Sequence, residues 1–165
     1  MAEEAVTTLR AELARLKFEI LRYHRPENAR EAKFSAEFGL AAILVRRGIA
    51  LGEVSDDFVR SEQVQDLMSR IVVEPRDEGD LSRTGVAEAL IMTRDGRSLS
   101  AEPVNAVVGS PQQPLSTEEL HAKFTAMVQH GTSGTAGLAE TSRLFEQLRH
   151  LDELQDVRDL QKVDL

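Results

Sequence analysis

Apolar residues recur at Val6, Leu9, Leu13, Leu16 and Ile20, in steps of three and four, the spacing of one face of a helix. The pattern predicts an amphipathic helix over Val6 to Ile20 with a short heptad-like seam, about two heptads long where a coiled coil sustains three or four. Pro26 closes the segment, because the residue before a proline is pushed out of helical geometry. A denser run follows from Ala32 to Arg47. Phe34, Phe38, Leu40, Ala41, Ala42, Ile43, Leu44 and Val45 cover most of a helix surface, so this helix is expected to be buried on more than one side. Gly48 and Gly52 end the run. Ser55 with Asp56 and Asp57 reads as the cap and first turn of a short helix. Ser61 to Arg70 reads as another, with Val64, Leu67 and Met68 on one side.

After Arg70 the period changes. Ile71, Val72 and Val73 are β-branched and predict a short strand stopped by Pro75. Arg76 to Thr84 is polar and reads as a surface loop. Val86 to Thr93 and Arg97 to Val104 flank Asp95-Gly96, a strong local signal for a hairpin turn. Val104 to Leu115 is a loop holding Gly109, Pro111 and Pro114. Ser116-Thr117-Glu118-Glu119 is a capping box, which starts a helix carrying Leu120, Phe124 and Met127. Gly131 to Thr135 breaks that helix, and helical spacing resumes from Leu138 through Leu148, Leu151, Leu154, Val157 and Leu160. The fold class expected is α+β, a small antiparallel sheet with a hairpin packed against several helices.

Composition narrows the chemistry. A chain of 165 residues fits one domain. With no cysteine, disulfides, thiolate catalysis and cysteine zinc sites are excluded, which leans towards a reducing compartment. The acidic start lacks the flanks of a signal peptide, and no apolar run nears the roughly 20 residues that span a bilayer, so a cytoplasmic protein without membrane contact is expected. A net charge of −8 and only 4% aromatic residues argue against nucleic acid as a partner. Positive charge gathers only at Arg22, Arg25, Arg30 and Lys33, with Arg46 and Arg47 further on. Such a cluster is either a solvated face or a cationic wall for a carboxylate-bearing small molecule, since arginine pairs with carboxylates in bidentate geometry. His24, His121, His130 and His150 are too scattered for a metal site. No Gly-rich nucleotide motif and no Gly-x-Ser-x-Gly elbow is present, and Gly131 to Gly134 offers only weak anion-binding potential.

The stretch Tyr23-His24-Arg25-Pro26-Glu27-Asn28-Ala29-Arg30-Glu31-Ala32-Lys33-Phe34-Ser35, running into Phe38, Ala41 and Ala42, resembles the segment that opens the C-terminal domain of the MmgE/PrpD family. Four later landmarks follow in order: Ser61 to Val73, Asp95-Gly96-Arg97, Pro114-Leu115-Ser116 with Lys123-Phe124, and Leu148 to Leu160. The resemblance covers about Leu21 to Leu160. It implies a division into residues 1–22, a helical or remodelled segment, and 23–165, an α+β domain of this family; the family's equivalent of the stretch before Tyr23 resembles a strand, so residues 5–20 stay open between the helix their spacing predicts and a strand.

Relatives such as 2-methylcitrate dehydratase and cis-aconitate decarboxylase imply cofactor-free lyase or isomerase chemistry on small polycarboxylates, as in propionate catabolism. The resemblance also implies an active site in a cleft between this domain and a large helical one that supplies the main acid/base groups. That helical domain is absent from the sequence, so no catalytic residue is assigned and the chain alone is expected to be inactive. Residue by residue, the implied substrate-binding groups are Lys33 and Ser35, with Arg25, Tyr23 and His24 on the same wall; the bland alternatives are that Lys33 solvates a helix start and Ser35 caps it. Phe38 stands where some relatives carry a tyrosine hydroxyl. Expected partners are a separate helical-domain chain or a second copy; a non-catalytic module that self-associates through the Val6 to Ile20 seam is the other class of function.

Overall fold

A computed structural model of the chain describes residues 5–49, 54–76, 87–104 and 106–160. Where length suggested one domain, the chain divides into two compact units, the first ending at Val107 and the second beginning at Val108. Gly52, and the loop expected after Arg76, lie outside the described residues.

The first unit is built on a four-stranded sheet of β1 (Val6–Ala14), β2 (Ile71–Arg76), β3 (Ala87–Thr93) and β4 (Ser98–Ser100), in the order β2-β1-β3-β4. The α+β class expected is therefore found, with one difference: the sheet is mixed. β1 pairs antiparallel with β3 but parallel with β2, Leu9 opposite Ile71. Parallel neighbours need a crossover. Here it consists of five short helices: α1 (Arg15–Ile20), α2 (Ala29–Ala32), α3 (Ala36–Arg46), α4 (Asp56–Arg60) and α5 (Glu62–Ser69).

The largest correction concerns the amino-terminal segment. Val6 to Ile20 is not one helix; Val6–Ala14 is a central strand and only Arg15–Ile20 is helical. The step of three between Val6 and Leu9 comes from a register shift between Val6 and Thr8, where an extra residue lets both side chains face inward. Beyond it Leu9 and Ala11 alternate as a strand should, both buried, while Leu16 and Ile20, counted above as seam residues, are 63% and 53% exposed.

The core lies between the sheet and the helices, formed by Leu9, Ala11, Phe38, Ala41, Ala42, Val59, Val64, Leu67, Met68 and Ile71. α5 buries Val64, Leu67 and Met68, as its apolar pattern predicted, but the run from Ala32 to Arg47 is not one helix buried on several sides: α3 starts at Ala36 and buries Phe38, Ala41 and Ala42, while Phe34 and Ile43 are each 46% exposed. Ser55 caps α4 by accepting from the Phe58 amide. Arg47 ends α3 in left-handed geometry one residue before Gly48. Pro75 does not stop β2, which runs on to Arg76; β2 is an edge strand, where a residue without an amide hydrogen is tolerated. Across the sheet the Arg76 guanidinium reaches Glu12 Oε2 at 2.9 Å and Glu88 Oε2 at 2.8 Å, tying β2 to its neighbour β1 and, beyond it, to β3.

The hairpin expected at Asp95-Gly96 joins β3 to β4, and Gly96 takes the positive φ of 82° that the turn requires. The Thr93 hydroxyl, and after it the Arg97 guanidinium and amide, hold the Asp95 carboxyl below the usual carboxylate range. Its folded value is the lower one, so its contribution is present at neutral pH and fades as acid titrates the group. Thr93→Val is expected to bring the Asp95 titration back towards the ordinary aspartate range, readable by carboxyl-carbon NMR.

In the second unit, α6 (Thr117–Gly131) begins with the expected capping box: Ser116 Oγ accepts from the Glu119 amide at 3.1 Å and Glu119 Oε2 from the Ser116 amide at 2.8 Å. Ser116→Ala is expected to cost about 1 kcal/mol in urea melts, with Glu119→Ala non-additive on top of it. α7 (Leu138–Arg149) packs on α6 through Phe145, whose ring lies 4.8 Å from His121 and 5.5 Å from Phe124. The Gly131 to Thr135 break is a turn whose amides bond back to the chain, Thr132 to Val128 and Gly134 to Gln129, so they are not directed at an anion. α7 also stops earlier than the leucine spacing implied. Among the described residues only single 3-10 turns follow, at Leu151–Glu153 and Val157–Asp159. Leu151 and Val157 are 47% and 68% exposed, and helical spacing without a surface to bury it leaves a helix marginal.

Candidate functional site

The basic segment of the first unit folds into a pinned loop. Arg22 forms an antiparallel bridge with Ser35, and the Tyr23 amide donates to the Phe34 carbonyl at 3.1 Å. Residues 22–25 and 33–35, a dozen positions apart, are thereby brought side by side. Between them Pro26 is buried, and Gln65 Nε2 donates to the carbonyls of Pro26 and Val59 at 3.3 and 2.8 Å. Arg60 Nε donates to the Glu27 carbonyl at 2.9 Å, and Asp56 accepts from the Ala29 amide at 2.8 Å. Asn28 caps α2 by accepting from the Glu31 amide. The loop is therefore held by α4 and α5.

On this frame Arg25 and Lys33 are exposed and Ser35 is buried. Arg22 is exposed and rests on the Tyr23 ring, its guanidinium carbon 5.2 Å from the centroid. Ser35 is the cap of α3: its hydroxyl oxygen accepts from the Phe38 amide at 3.1 Å, so its structural role is real whatever else it does. Ser35→Ala is expected to lower stability by about 1 kcal/mol in a denaturant melt. Lys33 lies at the end of α2, two residues before the bridged Ser35. Phe38 is 1% exposed and belongs to the core, so the ring at that position is not on the wall.

One pair was not evident in the sequence. His24 Nδ1 lies 2.7 Å from Glu37 Oε1, and the Ser35 hydroxyl donates to Glu37 Oε2 at 3.4 Å. Glu37 is 4% exposed, in the first turn of α3, where a negative charge meets the positive end of the helix. The His24 ring also packs against the Phe18 ring of α1, tilted by 37° with centroids 5.3 Å apart. Two residues 13 apart carry no periodic signal; the one hint was a lone acid set between Phe34 and Phe38. Chemically the segment combines a fixed imidazole on a buried, hydrogen-bonded carboxylate with an exposed arginine and an exposed lysine. It suits holding an anion rather than generating a nucleophile.

No group of histidines and acids among the described residues forms a metal site. Nor is any helix there long and apolar enough to cross a membrane. No curated protein matches the chain. A family model, the MmgE/PrpD C-terminal domain, matches residues 2–146, taking in the sheet, the pinned loop and most of the α6–α7 pair. The chain belongs to the MmgE/PrpD family, of which it carries the C-terminal domain.

Proposed function

We propose that the loop from Arg22 to Ser35 is one wall of a site for a small polycarboxylate, in a lyase or isomerase of the 2-methylcitrate dehydratase kind. Arg25 and Lys33 are its cationic contacts and Ser35 its positioning hydroxyl. The principal acid/base groups come from a helical domain, whether on the same polypeptide or on a separate chain, and no cofactor is needed for proton abstraction beside a carboxylate. A cytoplasmic protein with no nucleic-acid partner belongs to the same reading. The observation that carries it is the bridge between Arg22 and Ser35, which sets both halves of the family segment side by side at the head of α3.

Reconstitution tests it. The chain alone is expected to show negligible turnover of 2-methylcitrate or cis-aconitate, because acid/base groups act only within hydrogen-bond reach of substrate. Addition of a helical domain of the same family, recovered by pull-down from the native extract, is expected to produce turnover. In that complex Lys33→Ala should raise KM roughly 10- to 100-fold, the range for a lost hydrogen bond to a charged group. Turnover by the chain alone would sink the division of labour proposed here.

A second reading has an observation of its own. Leu120, Phe124, Met127 and Leu148 line an apolar groove of about 380 Å³ on the α6–α7 pair. A second copy docking there would make the chain a self-associating module. The Val6 to Ile20 seam does not serve this purpose, since Val6 and Leu9 are buried in the first unit. Light scattering of the wild type against Met127→Glu discriminates: a dimer that becomes a monomer supports self-association, and a monomer in both removes it.

A further inference from the structure

Helix capping accounts for Ser35 but not for Glu37. Ser35 already satisfies the Phe38 amide, so α3 has its cap without a carboxylate two residues further on. A buried carboxylate is costly unless it is fully hydrogen-bonded. Glu37 meets that condition by receiving the Ser35 hydroxyl on one oxygen and His24 Nδ1 on the other. The consequence falls on the histidine. Its side chain is 54% exposed, yet it is held at Nδ1 and packed against Phe18, so the ring is fixed although it is open to solvent. An imidazole anchored at one nitrogen presents the other at a defined place and in a defined tautomer. Among the described residues Nε2 has no hydrogen-bond partner.

Resting on the polycarboxylate reading above, we propose that His24 Nε2 is a point at which this wall takes hold of a substrate carboxylate, and that Glu37 is the positioning residue that fixes it. The protonated ring donates one N–H inward to Glu37 and the other outward to the anion. The pair is then neutral overall, and Arg25 and Lys33 supply the net positive charge that attracts the ligand. Glu37 keeps Nδ1 engaged, so binding does not have to restrain a freely turning ring.

The test uses the full chain labelled uniformly with nitrogen-15, read at the histidine rings, the lysine side chains and the backbone amides, with citrate as the probe, in a buffer acidic enough to protonate an exposed imidazole. Without citrate, His24 is expected to show the signature of an engaged Nδ1–H. Glu37→Leu, which leaves an apolar side chain in a buried place, should release it towards the averaged signal of the exposed His130. With citrate, the His24 nitrogens should move while those of His121, His130 and His150 stay, and His24→Gln should weaken binding about tenfold, as loss of a charge-assisted hydrogen bond does. Glu37→Leu should weaken it by a similar factor with His24 still present. Shifts at Lys33 and along residues 33–35 with His24 unmoved would leave the carboxylate wall standing and overturn the role of His24. No shift anywhere in residues 22–38 would overturn both. If Glu37→Leu fails to fold, His24→Gln still decides.

Discussion

A chain shortened to begin at Arg15 is expected to lose the cooperative unfolding transition of the sheet unit. β1 lies between β2 and β3 and is hydrogen-bonded to both. Its removal leaves β2 without a neighbour and strips Val6, Leu9, Ala11 and Ala14 from the interior. Burial of a valine or leucine contributes about 1.5–3 kcal/mol each, and each ladder bond about 1 kcal/mol net. Together these losses reach the roughly 5–15 kcal/mol by which a whole domain is stable. Guanidinium melts followed by circular dichroism, with amide NMR dispersion, check this. A sharp transition with an unchanged denaturant slope in the shortened chain would contradict the central position of β1. An appended helix that merely dimerised would behave in the opposite way, with a change of mass and no change in unfolding.

The misreading of that segment has a physical cause that applies beyond it. Periodicity assumes an unbroken backbone repeat, and the bulge near Thr8 inserts one residue into a repeat of two, turning it into a step of three. Alanine deepened the ambiguity: Ala11 and Ala14 are core residues at 5% and 2% exposure, but alanine is too small and too common in helices to mark a strand. Local chemistry was far more legible. The caps at Ser35, Ser55 and Ser116 and the turn at Gly96 depend on residues within a few positions of each other, and each forms as its sequence indicates. Contacts made only by the tertiary fold were not legible. The parallel pairing of β1 with β2 spans the five-helix crossover, and the His24–Glu37 contact spans a turn whose closure depends on Gln65 and Arg60 from other helices. The candidate wall was thus readable as a set of cations and a cap, while the carboxylate beneath it was not.

Phe38→Ala is expected to be the most destabilising single substitution near the wall, at about 3–5 kcal/mol, the usual range for phenylalanine removed from a packed core. The ring is 1% exposed and meets Phe58 edge-on, with centroids 6.1 Å apart. Around it stand other fully buried side chains, Val59, Val64 and Leu67, which cannot all shift to fill the space. Urea melts of the full chain measure the loss, and a value below about 1 kcal/mol would mean that the ring is not enclosed as described. Phe38→Tyr separates packing from chemistry. At this depth a tyrosine hydroxyl needs a partner, and an unpaired one costs about 1–3 kcal/mol. A cost in that range, with no gain in turnover of the reconstituted complex, is the expected result, because the ring faces the core while the wall is formed by the residues before it. The two substitutions also differ in reach. The Phe38 amide is the group that Ser35 caps, and Ser35 in turn donates to Glu37, so loosening α3 at Phe38 should weaken citrate binding as well as stability. Tyrosine keeps the ring in place and should leave that chain of contacts, and with it the anion affinity, intact.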